Sequence, residues 1–118
     1  MSADFQAVRP ALRVLQLKVE GLSAAKRTVI STIANLHNVD IICLQETHVG
    51  DQAEARYTIG GFDLISSTPD SKFGRATYAR CDITDASPVS SAKFCDVVQA
   101  GGYMIANLYK PPSALWDG

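Results

Sequence analysis

The sequence predicts an α/β (α+β) fold: a mixed β-sheet that opens with a βαβ unit and carries one main helix. Three observations point to it. Residues 12–19 alternate apolar and polar side chains, as a half-covered strand does. Residues 24–37 repeat apolar side chains at helical spacing. Residues Ile41-Ile42-Cys43-Leu44 form an unbroken apolar run, which suits a strand covered on both faces. At 118 residues the chain holds one domain at most.

The elements follow in order. Residues 1–10 read as a loose leader ending in Pro10, ahead of a domain over 11–118. The first strand runs from Leu12 to Val19. Leu15, Leu17 and Val19 share one face, and Val14, Gln16, Lys18 and Glu20 the other. Gly21 breaks it. Ser23 is placed to cap a helix from Ala24 to His37. Its apolar stripe is Ala25, Val29, Ile30, Ile33 and Leu36, with Lys26, Arg27, Ser31 and Asn35 on the opposite side. Asn38 is the stop. The second strand, Asp40 to Gln45, completes a βαβ unit, so the two strands are expected to be parallel with a right-handed crossover. Parallel strands end on one edge of a sheet, which brings Lys18 and Glu20 toward Glu46. The second half reads as strands Tyr57–Ser66, Phe73–Cys81, Lys93–Gln99 and Tyr103–Tyr109. They are punctuated by Gly60-Gly61, Pro69-Asp70, Ser87-Pro88 and Gly101-Gly102. Val97-Val98, Gly101-Gly102 and Tyr103 onward spell a hairpin, and Pro111-Pro112 ends the last strand. The expectation is a single mixed sheet, parallel early and antiparallel later, with the helix on one face.

Composition narrows the function classes. A net charge of −1 exerts no general pull on nucleic acid, whose dedicated binders carry a basic excess. It leaves room for a metal-dependent nuclease, whose site is itself acidic. Cys43, Cys81 and Cys95 are odd in number and irregular in spacing, which argues against a disulfide framework and for an intracellular setting. Residues 1–10 lack the apolar core of a secretory signal. No stretch approaches the ~18 apolar residues of a membrane span.

Chemistry concentrates at Glu46, where the apolar run ends in Gln45-Glu46-Thr47-His48. Open α/β folds assemble sites outside the carboxyl ends of their strands. Hard divalent cations take oxygen ligands, and one or two carboxylates at a strand end suit them. A lone Glu there is also simply a polar residue where a strand reaches solvent.

Four segments bear a resemblance that decides between these. Leu15-Gln16-Leu17-Lys18-Val19-Glu20-Gly21-Leu22, Leu44-Gln45-Glu46-Thr47, Gly74-Arg75-Ala76-Thr77-Tyr78-Ala79-Arg80 and Asn107-Leu108-Tyr109-Lys110-Pro111 resemble, in order and spacing, motifs of the endonuclease/exonuclease/phosphatase superfamily. The texture is most similar to the endonuclease domains of non-LTR retrotransposons. The resemblance covers roughly Leu12 to Trp116 and implies the first half of a two-sheet α/β sandwich. It implies Mg²⁺ as cofactor, DNA as partner, Glu46 as the metal-binding carboxylate and Glu20 in the outer part of the metal site. Tyr109 is then the residue that contacts the scissile phosphate, and Asn107 a neighbouring position of structural character in the same substrate-binding motif. His48 falls where relatives often place a cation; taken by itself it reads as a surface histidine.

Two departures stand out. Lys18 occupies the position where the family has Asn, and an ammonium close to Glu46 pairs with the carboxylate and competes with a metal ion. The later motifs, a Gly-Asp-x-Asn segment and a terminal Asp-His pair, are absent. His37, at the helix end, reads as a dipole partner and not a base. The nuclease sites of relatives act as a unit, so the chain alone is expected to be nearly inactive. The resemblance also implies that one sheet face, normally packed on the missing half, is left uncovered. Poor stability, self-association and membership in a longer chain each follow from that. The end at Trp116-Asp117-Gly118 favours a piece of a longer chain or a remnant. A nuclear location is the expectation for a retroelement product, and a partner-binding module is the alternative from a different class.

Overall fold

The computed structural model describes residues 11–50 and 54–110. The element order is β1 (Val14–Lys18), α1 (Ala24–Leu36), β2 (Ile41–Gln45), a single 3-10 turn (Glu54–Tyr57), β3 (Phe62–Thr68), β4 (Arg75–Arg80), β5 (Ser87–Ser91), β6 (Cys95–Ala100) and β7 (Tyr103–Leu108). Pro111-Pro112 and Trp116 lie outside the described residues. Among the described residues no helix is long and apolar enough to cross a membrane.

β1 and β2 pair in parallel, from Val14 opposite Ile41 to Lys18 opposite Gln45. The alternation of β1 is as its sequence reads. Leu15 and Leu17 lean on the core, while Val14, Gln16 and Lys18 face out. Ser23 caps α1, its hydroxyl accepting from the Lys26 amide at 3.2 Å, and the chain leaves the helix through Asn38 at φ 54°. The cation at the helix C-terminus is Arg13, whose guanidinium donates to the His37 carbonyl at 3.0 Å.

The expected single sheet is corrected. The strands divide into a four-stranded mixed sheet, β1-β2-β4-β3, and a three-stranded antiparallel sheet, β5-β6-β7. The second sheet packs on the face opposite α1, so that face is covered within this chain. Ile42, Leu44, Ala76 and Tyr78 meet Ile30 and Ala34 of α1 on one side, and Ile41, Cys43 and Ala79 meet Ala100 and Ile105 on the other. β2 is buried along its whole length, as its apolar run requires. Ser87-Pro88, read as a turn, belongs to the edge strand β5, with a register shift between Pro88 and Ser90. An edge is where a strand tolerates proline. The stretch from Tyr57 to Gly61 is the end of the 3-10 turn and a loop, not strand. Gly101 and Gly102, both at positive φ, form the expected tight hairpin between β6 and β7.

The helix face is a second correction. Ile30 and Ala34 are buried, whereas Val29, Ile33 and Leu36 are exposed. The polar side, expected to face water, turns to the 54–61 segment instead. Arg27 donates to the carbonyls of Ala55 and Thr58, and Ser31 to that of Gly60. A loop laid on a helix needs donors for its carbonyls, and that demand rotates the apolar stripe partly outward.

Candidate active site

Past their ends, β1 and β2 stay bonded. The Val19, Gly21 and Leu22 amides donate to the carbonyls of Gln45, Glu46 and Thr47 at 2.8–2.9 Å. The chain turns out of the sheet through residues in the left-handed region: Glu20 at φ 49°, Glu46 at 55° and His48 at 55°. Such backbone costs about 1–3 kcal/mol per non-glycine residue and persists only where the surroundings over-determine it. Here the Thr47 and His48 amides are tied to the carbonyls of Gly74 and Phe73. Gly74, at φ +85°, permits that approach, since a Cβ there would stand 2.5 Å from Thr47 Oγ1.

This bend holds the Glu46 side chain at the sheet edge, about one-tenth exposed. Its Oε2 accepts a short hydrogen bond from the Tyr109 hydroxyl and stands 3.3 Å from Lys18 Nζ. Its Oε1 lies 3.7 Å from His48 Nε2. Lys18 Nζ also reaches within 4.0 Å of Glu20 Oε1, on a more exposed side chain. The Tyr109 hydrogen bond, followed by Lys18, holds the Glu46 carboxyl below its usual range despite its burial. Burial and the adjoining carboxylate push the Tyr109 phenol up to about 12, so it remains a donor at neutral pH.

Tyr109 is positioned from beneath. Its amide donates to the Phe94 carbonyl at 2.9 Å. Two residues earlier, Asn107 is buried between the sheets. It accepts from Gln45 Nε2 at 2.7 Å and donates to Leu44 O, Ala76 O and Thr77 Oγ1. The carboxamide is thus engaged in the interior, and its part is to register β7 on β2. Gln45 and Asn107 meet inside; past the strand ends, where Glu46 takes a left-handed φ, Glu46 and Tyr109 meet at the rim. His37, in contrast, is exposed at the far end of α1.

Sequence reasoning missed a buried ion pair beside the site. Arg75 clasps Asp96 with two hydrogen bonds, 2.9 and 3.2 Å, and its other donors take the Ala92 and Lys93 carbonyls. Asp96 also accepts from Thr68 and Ser91. Burial alone would raise this carboxyl, but Arg75 and Ser91 outweigh it and leave it below the ordinary range. The available signal was a charge in the apolar strand Cys95–Ala100, which demands a buried partner.

Two hollows flank these groups. One of about 210 Å³ opens beside Tyr109 between Phe73, Lys93 and Phe94. A larger one, about 370 Å³, lies at the other end of the sheet near Arg13, Asp40 and Arg80. There Asp40 is already engaged by Arg80 at 2.7 Å and by the Arg13 amide at 2.9 Å.

Glu46 and Glu20 are the oxygen donors that a divalent cation would need. Both face the same ammonium, and among the described residues no group of three His, Cys, Asp or Glu is arranged to hold a metal ion. As arranged, the residues present do not fit a divalent ion.

The profile of the Endonuclease/Exonuclease/phosphatase family matches residues 15–108. No curated protein matches the sequence. Among solved structures, an AP endonuclease from Archaeoglobus fulgidus superposes with a TM-score of 0.63 at 19% identity, over 84% of this chain and 41% of its own. AP endonuclease LMAP from Leishmania major superposes with a TM-score of 0.66 at 15% identity, over 88% of this chain and 41% of its own. The chain therefore spans well under half the length of either neighbour.

Proposed function

The chain belongs to the endonuclease/exonuclease/phosphatase family, and from that premise we propose that it is the N-terminal portion of a phosphodiesterase that engages the DNA backbone, of the retrotransposon type and without robust turnover by itself. The observation that carries the reading is the convergence of Glu46, at the end of β2, and Tyr109, at the end of β7, on one rim of the sandwich. The likeness to two structures named as AP endonucleases supports a nuclease-type fold.

Each residue has a part in this reading. Tyr109 keeps its proton and offers it to a phosphate oxygen, exchanging the Glu46 carboxylate for the incoming anion. Glu46, held ionised, orients the Tyr109 hydroxyl and the Lys18 ammonium. A carboxyl held this low is a weak base at neutral pH. Family members are generally metal-dependent, and the metal would supply charge neutralisation and water activation; the arrangement of this chain does not accommodate it. Completion by a further half of the protein, or by a second copy, belongs to the same proposal, as does an intracellular setting, nuclear for a retroelement product, compatible with the free thiols Cys43, Cys81 and Cys95. Lys18 at the rim also favours a second reading, a non-catalytic remnant that binds a partner through the outer face of β7, where Met104 and Leu108 are exposed.

The test is nicking of supercoiled plasmid by the 118-residue chain in Mg²⁺, beside Glu46→Gln and Tyr109→Phe. The expected result is no robust nicking, with weak DNA binding by fluorescence anisotropy that Tyr109→Phe reduces. Nicking abolished by Glu46→Gln would overturn the expectation of inactivity. Binding unchanged in Tyr109→Phe would remove Tyr109 from the proposed phosphate contact.

A further inference from the structure

We propose that Lys18 is a resident cation: its ammonium occupies the place beside Glu46 that a divalent metal ion would take, and keeps the site closed to such ions. This rests on the reading above only in taking Glu46 as the metal-binding position.

The argument starts from register. Lys18 closes β1 directly opposite Gln45, the residue before Glu46. Its side chain falls on the outward face of β1 and reaches both candidate ligands, Glu46 Oε2 at 3.3 Å and Glu20 Oε1 at 4.0 Å. One ammonium therefore spans the two carboxylates that would hold a hard cation. A divalent ion at the same carboxylates would sit within contact range of that ammonium, and its repulsion from it is twice that between two unit charges at equal distance.

A second ammonium engages main-chain oxygens beside Glu20. Lys26, in the first turn of α1, donates to the Val19 carbonyl at 2.6 Å and the Glu20 carbonyl at 3.1 Å. Hard cations draw on backbone carbonyls as readily as on carboxylates, and these two are the carbonyls nearest in sequence to the Glu20 side chain. The Tyr109 hydroxyl takes a further lone pair of Glu46 Oε2. The ligand set is thus consumed by protein donors: Lys18 on the carboxylates, Lys26 on the main chain, Tyr109 on the inner carboxylate. Of these, Lys18 carries the charge that conflicts directly with a metal, and it is about half exposed. Its replacement therefore leaves the core intact.

The experiment is a Mn²⁺ titration of the isotope-labelled chain, reading paramagnetic broadening of the Thr47 and His48 amide resonances. Lys18→Asn and Lys18→Gln remove the charge and Lys18→Arg keeps it. Lys18→Asn combined with Glu46→Gln removes both partners, and a dispersed amide spectrum certifies each fold. The parent and Lys18→Arg are expected to show no localised broadening at millimolar Mn²⁺. The two neutral variants are expected to bind on the order of tenfold or more tightly, with the broadening lost when Glu46→Gln is added. Localised, Glu46-dependent broadening in the parent overturns the proposal, and so does the absence of any gain in both neutral variants. The readout involves no nucleic acid, so failure of the nuclease reading leaves it unaffected, and its own failure shows without reference to nicking.

Discussion

Asp96 and Glu46 lie at the same end of the sandwich, yet they are held in opposite ways. Asp96 is fully buried and saturated. Arg75 meets both of its oxygens, and Thr68 and Ser91 supply hydroxyls. Glu46 stands at the rim on a left-handed bend, with the Tyr109 hydroxyl as a neutral donor, the Lys18 ammonium at 3.3 Å and the His48 imidazole at 3.7 Å, the latter two side chains partly exposed. The first arrangement has no capacity left for a ligand and fastens β4 to β6. The second has partners that can exchange. Both carboxyls are held below their ordinary range, so ionisation alone does not tell a fastening from a site; the exposure of the partners does.

The largest effect should come from breaking the fastening. Asp96→Ala leaves Arg75 charged and buried without a partner, and is expected to lower unfolding stability by about 3–5 kcal/mol. An unfolding free energy from urea titration within about 1 kcal/mol of the parent would mean the pair does not hold the sheets together. Replacing both members with apolar residues, Arg75→Met with Asp96→Leu, should recover most of the loss. Next is Gly74→Ala, which combines a strained φ with a clash on Thr47. It is expected to destabilise by about 1–3 kcal/mol, and adding Thr47→Ala should return only the part due to the clash.

Acid separates the two carboxylates on a smaller scale. Both have folded-state pKa values lowered from ordinary values of 3.8 for Asp96 and 4.5 for Glu46. The stabilisation they contribute is therefore complete above those ordinary values and is lost as pH falls through the folded ones. Denaturant titrations should show stability flat from neutral pH to about pH 5 and declining below it, with Asp96→Asn flattening the decline more than Glu46→Gln. The reverse order would place the stronger stabilisation at the rim. The smallest effect is that of Glu46→Gln at neutral pH, expected to be under about 1 kcal/mol because its cationic partner Lys18 is half exposed. Calorimetry or urea unfolding checks it.

Much of the fold was legible because its signals are local. The alternation in β1, the Ser23 cap, the apolar run of β2 and the Gly101-Gly102 hairpin each depend on neighbours a few residues away. The approach of Lys18 to Glu46 followed from parallel pairing alone. What escaped depends on distant partners. β5 is exposed along its whole length, so it carries no alternation, and only its bonds to β6 make it a strand. The division into two sheets is set by Asn107 and Arg75 reaching across the interior. Neither residue advertises its partner by spacing. The rotation of α1 is dictated by carbonyls of the 54–61 segment, whose need for donors no hydrophobic period reports.

The pairing of Glu46 with Tyr109 joins residues 63 positions apart, and that of Gln45 with Asn107 residues 62 apart. Lys18 and Glu46, by contrast, belong to one βαβ unit that can close early, since shorter loops close at lower entropic expense. Within that unit the register of β1 on β2 sets the ammonium beside the carboxylate. The phenol comes from the end of β7, in the other sheet. Lysine thus meets the carboxylate through a contact internal to one βαβ unit, whereas the phenol meets it through a contact between the two sheets.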